Sequence, residues 1–316
     1  MNRIDACPIC SSSVSVAKRG ATAPFLARRI WDRPPFEVEL ASCAACGFLF
    51  YNPRLEPGEE SRLYASYRDD RYQRQRHSCE PWYTKALNAS LSDPALMEQR
   101  KQALREILTQ HVDVPIGNVL DFGGADGSLV HQLLSGAQAY VYDVSEVTPL
   151  EGIRRCATPS DCLDHEFQLI ICSNVLEHVA VPPDVLAQIH DLAVPGTLVF
   201  IEVPFESPLD SVTLRKRLIQ QGLVFATRPR VGLSLLRLNW LYLMHEHVNF
   251  FDSSSLRELM STSDWNVRAS GTYGVGTGLL RMTMGYCLAQ LEPATAAGSA
   301  QPSRSFSSGA DVRRHP

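Results

Sequence analysis

From Pro94 onward, Leu96, Ala103, Leu104, Ile107 and Leu108 recur at helical spacing with Glu, Gln, Arg and Lys between them, which predicts a helix to about Gln110. A compact apolar run over residues 118–122 then predicts a strand. Strand-like and helix-like stretches alternate beyond it. Strands are expected at 139–143, 167–173, 197–203 and 266–273, and helices over 128–134, after Pro183 and after Asp252. This alternation is the pattern of an α/β domain whose largely parallel sheet carries helices on both faces. A last strand-like run, 279–288, follows a glycine turn at 274–278 and suits an antiparallel edge.

The flanks lack that pattern. Residues 1–52 are organised by paired cysteines, and residues 53–93, rich in Tyr, Arg, Pro and Glu without clear periodicity, read as a connecting arm. The α/β domain is assigned to 94–292, with an insertion at 206–244 that interrupts it as a lid over the site. Residues 293–316 are mostly Ala, Ser, Gly, Pro and Arg with little to bury and are expected to be disordered.

Composition narrows the partners. Hydrophobic residues make up 45% and charged residues 20%, ordinary for a globular protein, and 316 residues suit one full α/β domain plus a smaller module. A net charge of -4 argues against nucleic acid as the main partner. The start of the chain lacks an apolar signal core, and no run approaches the roughly 18 apolar residues of a spanning helix, so a cytoplasmic protein is expected. An odd cysteine count, nine, without a secretion signal favours reduced thiols.

The candidate chemistry begins at Val119-Leu120-Asp121-Phe122-Gly123-Gly124-Ala125-Asp126-Gly127. A strand ending at Asp121 and turning through Gly123, Gly124 and Gly127 lets a ligand approach bare backbone at a helix start. Asp143 closes the next strand twenty residues after Gly123, the separation at which an acid meets ribose hydroxyls. The Gly-x-Gly-x-x-Gly dinucleotide pattern is not met, because Ala125 and Ser128 hold glycine positions. Asp121 and Asp126 would also repel a pyrophosphate, whereas a cofactor bearing a sulfonium and an ammonium welcomes them. A tight turn without a ligand is the alternative.

Cys7-Pro8-Ile9-Cys10 and Cys43-Ala44-Ala45-Cys46-Gly47 form two knuckles whose four thiolates suit a closed, structural zinc site, with an inserted hairpin filling the long gap. Iron–sulfur and redox uses are the alternatives. His245-Glu246-His247 lies on a loop before the helix at Asp252, at the end of the sheet where function gathers, and supplies candidate bases. Its spacing is not the His-Glu-x-x-His of a catalytic zinc. His178, after the fourth strand, is expected to face the reacting group or merely to orient Glu177. The insertion bears Arg215, Lys216, Arg217, Arg228, Arg230 and Arg237 among leucines, which would hold substrate phosphates, rest on an anionic membrane or form a solvated face.

The segments 121–127 and 167–179 resemble the first motif and the fourth-strand block of class I methyltransferases. The resemblance implies a Rossmann-like seven-stranded sheet and S-adenosylmethionine as cofactor, with Asp143 on the ribose, Asp161 or Asp164 near the adenine amino group and Asn174 lining the cofactor cleft. Ala125 and Gln168 depart from the usual residues. A zinc ribbon before such a domain, the arm with Tyr64, Tyr67 and Tyr72, and His245-Glu246-His247 together resemble the deoxysugar C-methyltransferases, which act on nucleotide-linked keto sugars. In that family a Tyr-His-Glu-His stretch carries the base, so His247 and Glu246 would inherit base and partner; Met244 stands in place of the tyrosine, and the family's extra C-terminal domain is not matched after about Leu288. The resemblance implies methylation of a small molecule, a sugar, nucleotide sugar or glycan precursor, at carbon or oxygen. An rRNA methyltransferase with a zinc module and a silent scaffold are the other readings.

Overall fold

The computed structural model describes residues 1–67, 69–90, 93–145, 147–276 and 281–292. The expected disordered tail, and the end of the glycine turn with the start of the last strand at 279–280, lie outside the described residues.

The N-terminal module begins with β1 (Val14–Thr22), α1 (Pro24–Trp31), β2 (Glu37–Cys43) and β3 (Leu49–Asn52), so the gap between the cysteine knuckles is a hairpin carrying one helix. The arm is not irregular. It folds as α2 (Pro57–Tyr64), α3 (Asp70–Cys79) and α4 (Lys85–Ser90), elements too short and too polar to show a period. Asp69 caps α3 by accepting from the Tyr72 amide, and Glu56 and Glu59 close a capping box on α2.

The α/β domain follows as α5 (Pro94–His111), β4 (Asn118–Phe122), β5 (Gln138–Tyr142), β6 (Arg154–Cys156), α6 (Pro159–Cys162), β7 (Leu169–Ser173), α7 (Pro182–Asp191) and β8 (Leu198–Pro204). The insertion supplies α8 (Ser211–Thr227) and α9 (Pro229–Leu233), after which come β9 (Leu243–Met244), β10 (Asn249–Phe250), α10 (Ser253–Ser261), β11 (Trp265–Val275) and β12 (Met282–Leu291). The seven-stranded sheet runs β11-β12-β8-β7-β4-β5-β6; β8 to β6 are parallel and the β11–β12 hairpin is the antiparallel edge.

Alternation along the strands assigns the two faces. Val119, Leu169, Ile171, Leu198 and Phe200 pack on Leu104, Ile107 and Leu108 of α5. Leu120, Ile170, Val199 and Ile201 pack on Val185 and Ile189 of α7 and on Leu256 and Leu259 of α10.

The expected helix over 128–134 does not form. The segment is a series of turns, with Val130 N–H donating to Gly127 at 3.0 Å and Leu133 N–H to Val130 at 3.1 Å, and Gln132 in the left-handed region at φ 57°. Side chains of α5 take up its carbonyls: Lys101 Nζ donates to His131 at 2.8 Å and Arg105 Nε to Leu133 at 3.0 Å. Those oxygens would be unpaired at the end of a seven-residue helix too; the left-handed Gln132 breaks the helical path, and Leu129, Val130 and Leu133 reach the core from the turns instead.

The N-terminal sheet is completed from far along the chain. Its order is β10-β3-β2-β1-β9, with β9 parallel to β1 and β10 antiparallel to β3. Phe25, Leu40, Leu63 and Tyr72 therefore share a core with Leu235, Leu243 and Val248. Arg54, 4% exposed, stitches the seam: Nε donates to Ala180 O at 2.9 Å, Nη1 to Tyr51 O at 2.9 Å and Val248 O at 3.2 Å, and Nη2 to Val179 O at 3.0 Å and to Asn249 Oδ1.

Replacing Arg54 by Ala removes a donor from four buried or half-buried carbonyls, of which Val248 O keeps the Tyr51 N–H and Val179 O keeps Asn249 Nδ2, and should cost about 3 kcal/mol in a urea unfolding curve, with Arg54→Lys recovering only part. A loss under about 1 kcal/mol would show that water replaces the guanidinium.

Candidate active site

The C-terminal ends of β4, β5, β7 and β8 meet at one edge of the sheet, and the glycine turn lies there. Gly123 has φ +78°, donates to Tyr142 O at 2.7 Å, and a Cβ on it would sit 2.5 Å from Val175 Cγ2. A Cβ on Gly124 would lie 2.1 Å from Asp121 Cγ, and one on Gly127, which has φ +76°, would lie 2.6 Å from Ile153 Cδ1. All three therefore need to be glycine for the turn itself, which leaves bare backbone facing the edge. Ala125 adopts φ 51° without being glycine.

Asp143 ties this turn to β5: its Oδ2 accepts from Ala125 N–H at 2.9 Å and its Oδ1 from Ser145 N–H at 2.7 Å. Asp121 is 2% exposed, and its Oδ2 has no partner. Burial pushes its carboxyl up to about 7. Asn174, at φ 56°, also keeps a buried Oδ1 without a partner. Two orphaned oxygens at the ends of adjacent strands fit a ligand that brings hydrogen-bond donors or positive charge. Asp161 is exposed and caps α6, its Oδ2 accepting from Thr158 N–H at 2.8 Å. Beside the cradle, buried Glu202 accepts from Arg100 Nε at 3.0 Å and from Tyr273 Oη at 2.5 Å.

A second cluster begins just beyond β7. Glu177 is buried, its Oε2 has no partner, and burial raises its carboxyl to about 7. Donor atoms of Glu177, His178 and His247 lie within 4.8 Å of one another, and the His178 and His247 rings are 4.7 Å apart, edge to face. Tyr64 Oη is 3.0 Å from His178 Nδ1, which is also 3.2 Å from Glu246 O. His247 Nδ1 bonds to Glu206. Desolvation pulls the His247 pKa down, but the Glu206 carboxylate outweighs it and holds the pKa at about 9.

The three residues His245-Glu246-His247 diverge. The carboxylate on His247 belongs to Glu206, on the loop that leaves β8 and crosses the edge of the sheet; Glu246 instead accepts from Tyr72 and from Arg76 Nη1 at 2.6 Å. His245 Nδ1 is 3.2 Å from Glu80 Oε1, and Glu80 accepts from Arg76 Nε at 2.8 Å. The arm thus supplies Tyr64, Tyr72, Arg76 and Glu80. The tyrosines carry a signal in the sequence; Glu206 has one in retrospect, since it opens the loop after an expected strand, and Arg76 has none.

Away from this edge the four thiols converge, with Cys7 Sγ 3.7 Å from Cys46 Sγ and Cys10 Sγ 3.5 Å from Cys43 Sγ. Four sulfurs about 2.3 Å from one zinc are about 3.8 Å apart, so the donor set fits. Each knuckle is closed by its own backbone, Ser11 N–H to Cys7 O at 2.9 Å and Gly47 N–H to Cys43 O at 3.0 Å.

A parallel sheet with an antiparallel edge hairpin, a glycine cradle after its central strand and an acid at the end of the next define a Rossmann-like methyltransferase. A family model described as a methyltransferase domain matches residues 69–270, well over half of the chain, and the chain belongs to that family of S-adenosylmethionine-dependent enzymes. The search of curated proteins returned no match. Among solved structures, the chain is similar to the 1,6-didemethyltoxoflavin N1-methyltransferase of Burkholderia thailandensis, bound to its substrate and S-adenosylhomocysteine (17% identity, 81% of this chain and 96% of that one, TM-score 0.47). It is also similar to the magnesium protoporphyrin IX methyltransferase of Synechocystis PCC 6803 with bound SAH (14%, 61% and 83%, TM-score 0.39) and to the N-methyltransferase NodS of Bradyrhizobium japonicum WM9 (16%, 63% and 98%, TM-score 0.36). No described helix is long and apolar enough to cross a membrane.

Because Ala125 bears left-handed strain, Ala125→Gly should leave stability unchanged or raise it by up to about 1 kcal/mol in chemical denaturation, the relief offsetting the added unfolded-state entropy. A clear loss of stability would mean that the methyl group packs usefully in the turn.

Proposed function

We propose that the chain holds S-adenosylmethionine in the Gly123–Gly127 cradle and methylates a small, hydroxyl-rich acceptor: a sugar, nucleotide sugar or glycan precursor. The observation that carries this reading is the acid–base cluster of Glu177, His178, Glu206 and His247, at the same sheet edge as the cradle and next to it through Val175. Asp143 would meet the ribose and Asp161 the adenine, while Asp121 and Asn174 supply oxygens toward the cationic end. The bound cofactor supplies an electrophilic methyl group already activated for displacement.

The residues then have to orient a hydroxyl-bearing acceptor and remove a proton from it. His247 is proposed as the base, with Glu206 stabilising the imidazolium that results. His178, held by Tyr64, donates or accepts beside it. Glu246 and His245 act as positioning residues, through Tyr72 and Arg76 and through Glu80. Carboxylates around the acceptor favour a neutral or cationic reacting group over a phosphate backbone, which supports a small molecule over RNA. Cys7, Cys10, Cys43 and Cys46 are proposed to hold a structural zinc that braces the N-terminal sheet.

Titration calorimetry should show S-adenosylmethionine binding to the native chain, weakened roughly 10- to 100-fold in Asp143→Ala, the worth of hydrogen bonds to a charged group. Equal binding by both would remove the cradle from the reading. A screen with labelled cofactor against nucleotide sugars, glycans and RNA, read by product mass, tests the acceptor class.

The pH profile tests the base. Since Glu206 favours charged His247, the ascending limb of kcat/KM should lie near pH 9, and Glu206→Gln should move it down toward the ordinary histidine value of about 6.5 while lowering the maximum. A native limb at or below that value would exclude His247 with this partner.

A further inference from the structure

The insertion is the most lopsided segment of the chain. Between Asp210 and His245 it carries six Arg or Lys and no Asp or Glu, in a protein whose net charge is -4. Its two helices pack as a hairpin: a Cβ on Gly232 would lie 2.6 Å from Phe225, whose ring stands 5.7 Å from that of Trp240. Gln221 and Val224 are buried on the inner side of α8, and Arg217 reaches inward to Leu241 O.

The outer side of α8 is apolar where a solvated helix would be polar. Val212, Ile219, Leu223 and Ala226 fall at i, i+7, i+11 and i+14, one stripe, and all are exposed, Val212 by 71% and Ile219 by 75%. Arg215 and Lys216 flank the stripe on either side, also exposed. Beyond the turn, Leu233 and Leu236 are 61% and 58% exposed, beside exposed Arg230 and Arg237. An apolar stripe bordered by cations, with no acid within it, is the composition of a helix lying in a bilayer interface.

We propose that the α8–α9 hairpin docks on the surface of an anionic lipid bilayer, with Val212, Ile219, Leu223, Leu233 and Leu236 entering the headgroup–acyl boundary and Arg215, Lys216, Arg230 and Arg237 meeting lipid phosphates. Charge complementarity selects this occupant: a second copy would set these cations against each other, and nucleic acid has no use for the apolar stripe. The hairpin leaves the domain just after Glu206 and returns just before His245, so docking brings the mouth of the acid–base cluster to the bilayer. The docking itself does not depend on which acceptor the cluster serves.

Full-length chain should co-sediment with phosphatidylcholine vesicles containing phosphatidylglycerol, much less with phosphatidylcholine alone, and binding should fall as salt rises. Arg215→Gln with Lys216→Gln should weaken it by roughly fivefold per removed cation. Ile219→Asp with Leu223→Asp should abolish it, while leaving the thermal midpoint and S-adenosylmethionine affinity by calorimetry unchanged, because both side chains point outward. Three outcomes would overturn the proposal: no sedimentation with anionic vesicles, sedimentation insensitive to the Asp pair, or an ultracentrifugation dimer that the Asp pair dissociates. None of these readouts requires methyl transfer, so failure here is distinguishable from failure of the methyltransferase site.

Discussion

A buried guanidinium holds the two halves of the molecule in register. Arg54 reaches from the end of β3 to the backbone beyond β7 and to the backbone entering β10, and Asn249 repeats the stitch by donating to Leu176 and Val179 oxygens. Those two stretches carry His178 and His247. Burying an arginine is costly unless every donor is used, and here carbonyls from three separate segments use them. The same cost that would penalise a misplaced Arg54 therefore specifies where the two histidines sit, and the N-terminal module, the arm and the methyltransferase sheet become one frame around the site.

Electrostatics at the sheet edge follow from the same burial. Asp121 and Glu177 are both desolvated, and both carboxyls are raised to about 7, although Glu177 has His178 Nε2 at 3.8 Å and His247 close by. Glu202, equally buried, instead has Arg100 and Tyr273 on its oxygens. The contrast separates a carboxylate bonded within the architecture from Asp121, whose Oδ2 has no partner. A cationic cofactor would supply at Asp121 the partner that Arg100 gives Glu202.

Local patterns in the chain carried much of this. The strand at Asn118–Phe122, the helix at Pro94–His111, the helix start after Asp252 and the glycine turn each depend on a few neighbouring residues and their steric or periodic preferences, and each is where the pattern puts it. The helix over 128–134 did not form because so short a segment closes too few internal bonds to offset nucleation, and Gln132 turns left-handed at φ 57° within it, while Lys101 and Arg105, residues of another element, hold the carbonyls at its end. The helices of the arm were illegible because their apolar contacts, such as Leu63 and Tyr72 against Leu243 and Val248, span well over a hundred residues and leave no period in so short a segment.

The candidate site divides along the same line. By itself the sequence determined the cradle, its acids, the cysteine knuckles and the presence of ionisable residues at 245–247, since turn chemistry and ligand spacing are local. Only the tertiary structure decided that adjacent residues serve different partners, with Glu206 rather than Glu246 on His247, and Glu246 turned to Tyr72 and Arg76. The reason is physical: a side chain's partner is set by which backbones the core brings together, and that is fixed by burial across the whole chain rather than by order along it.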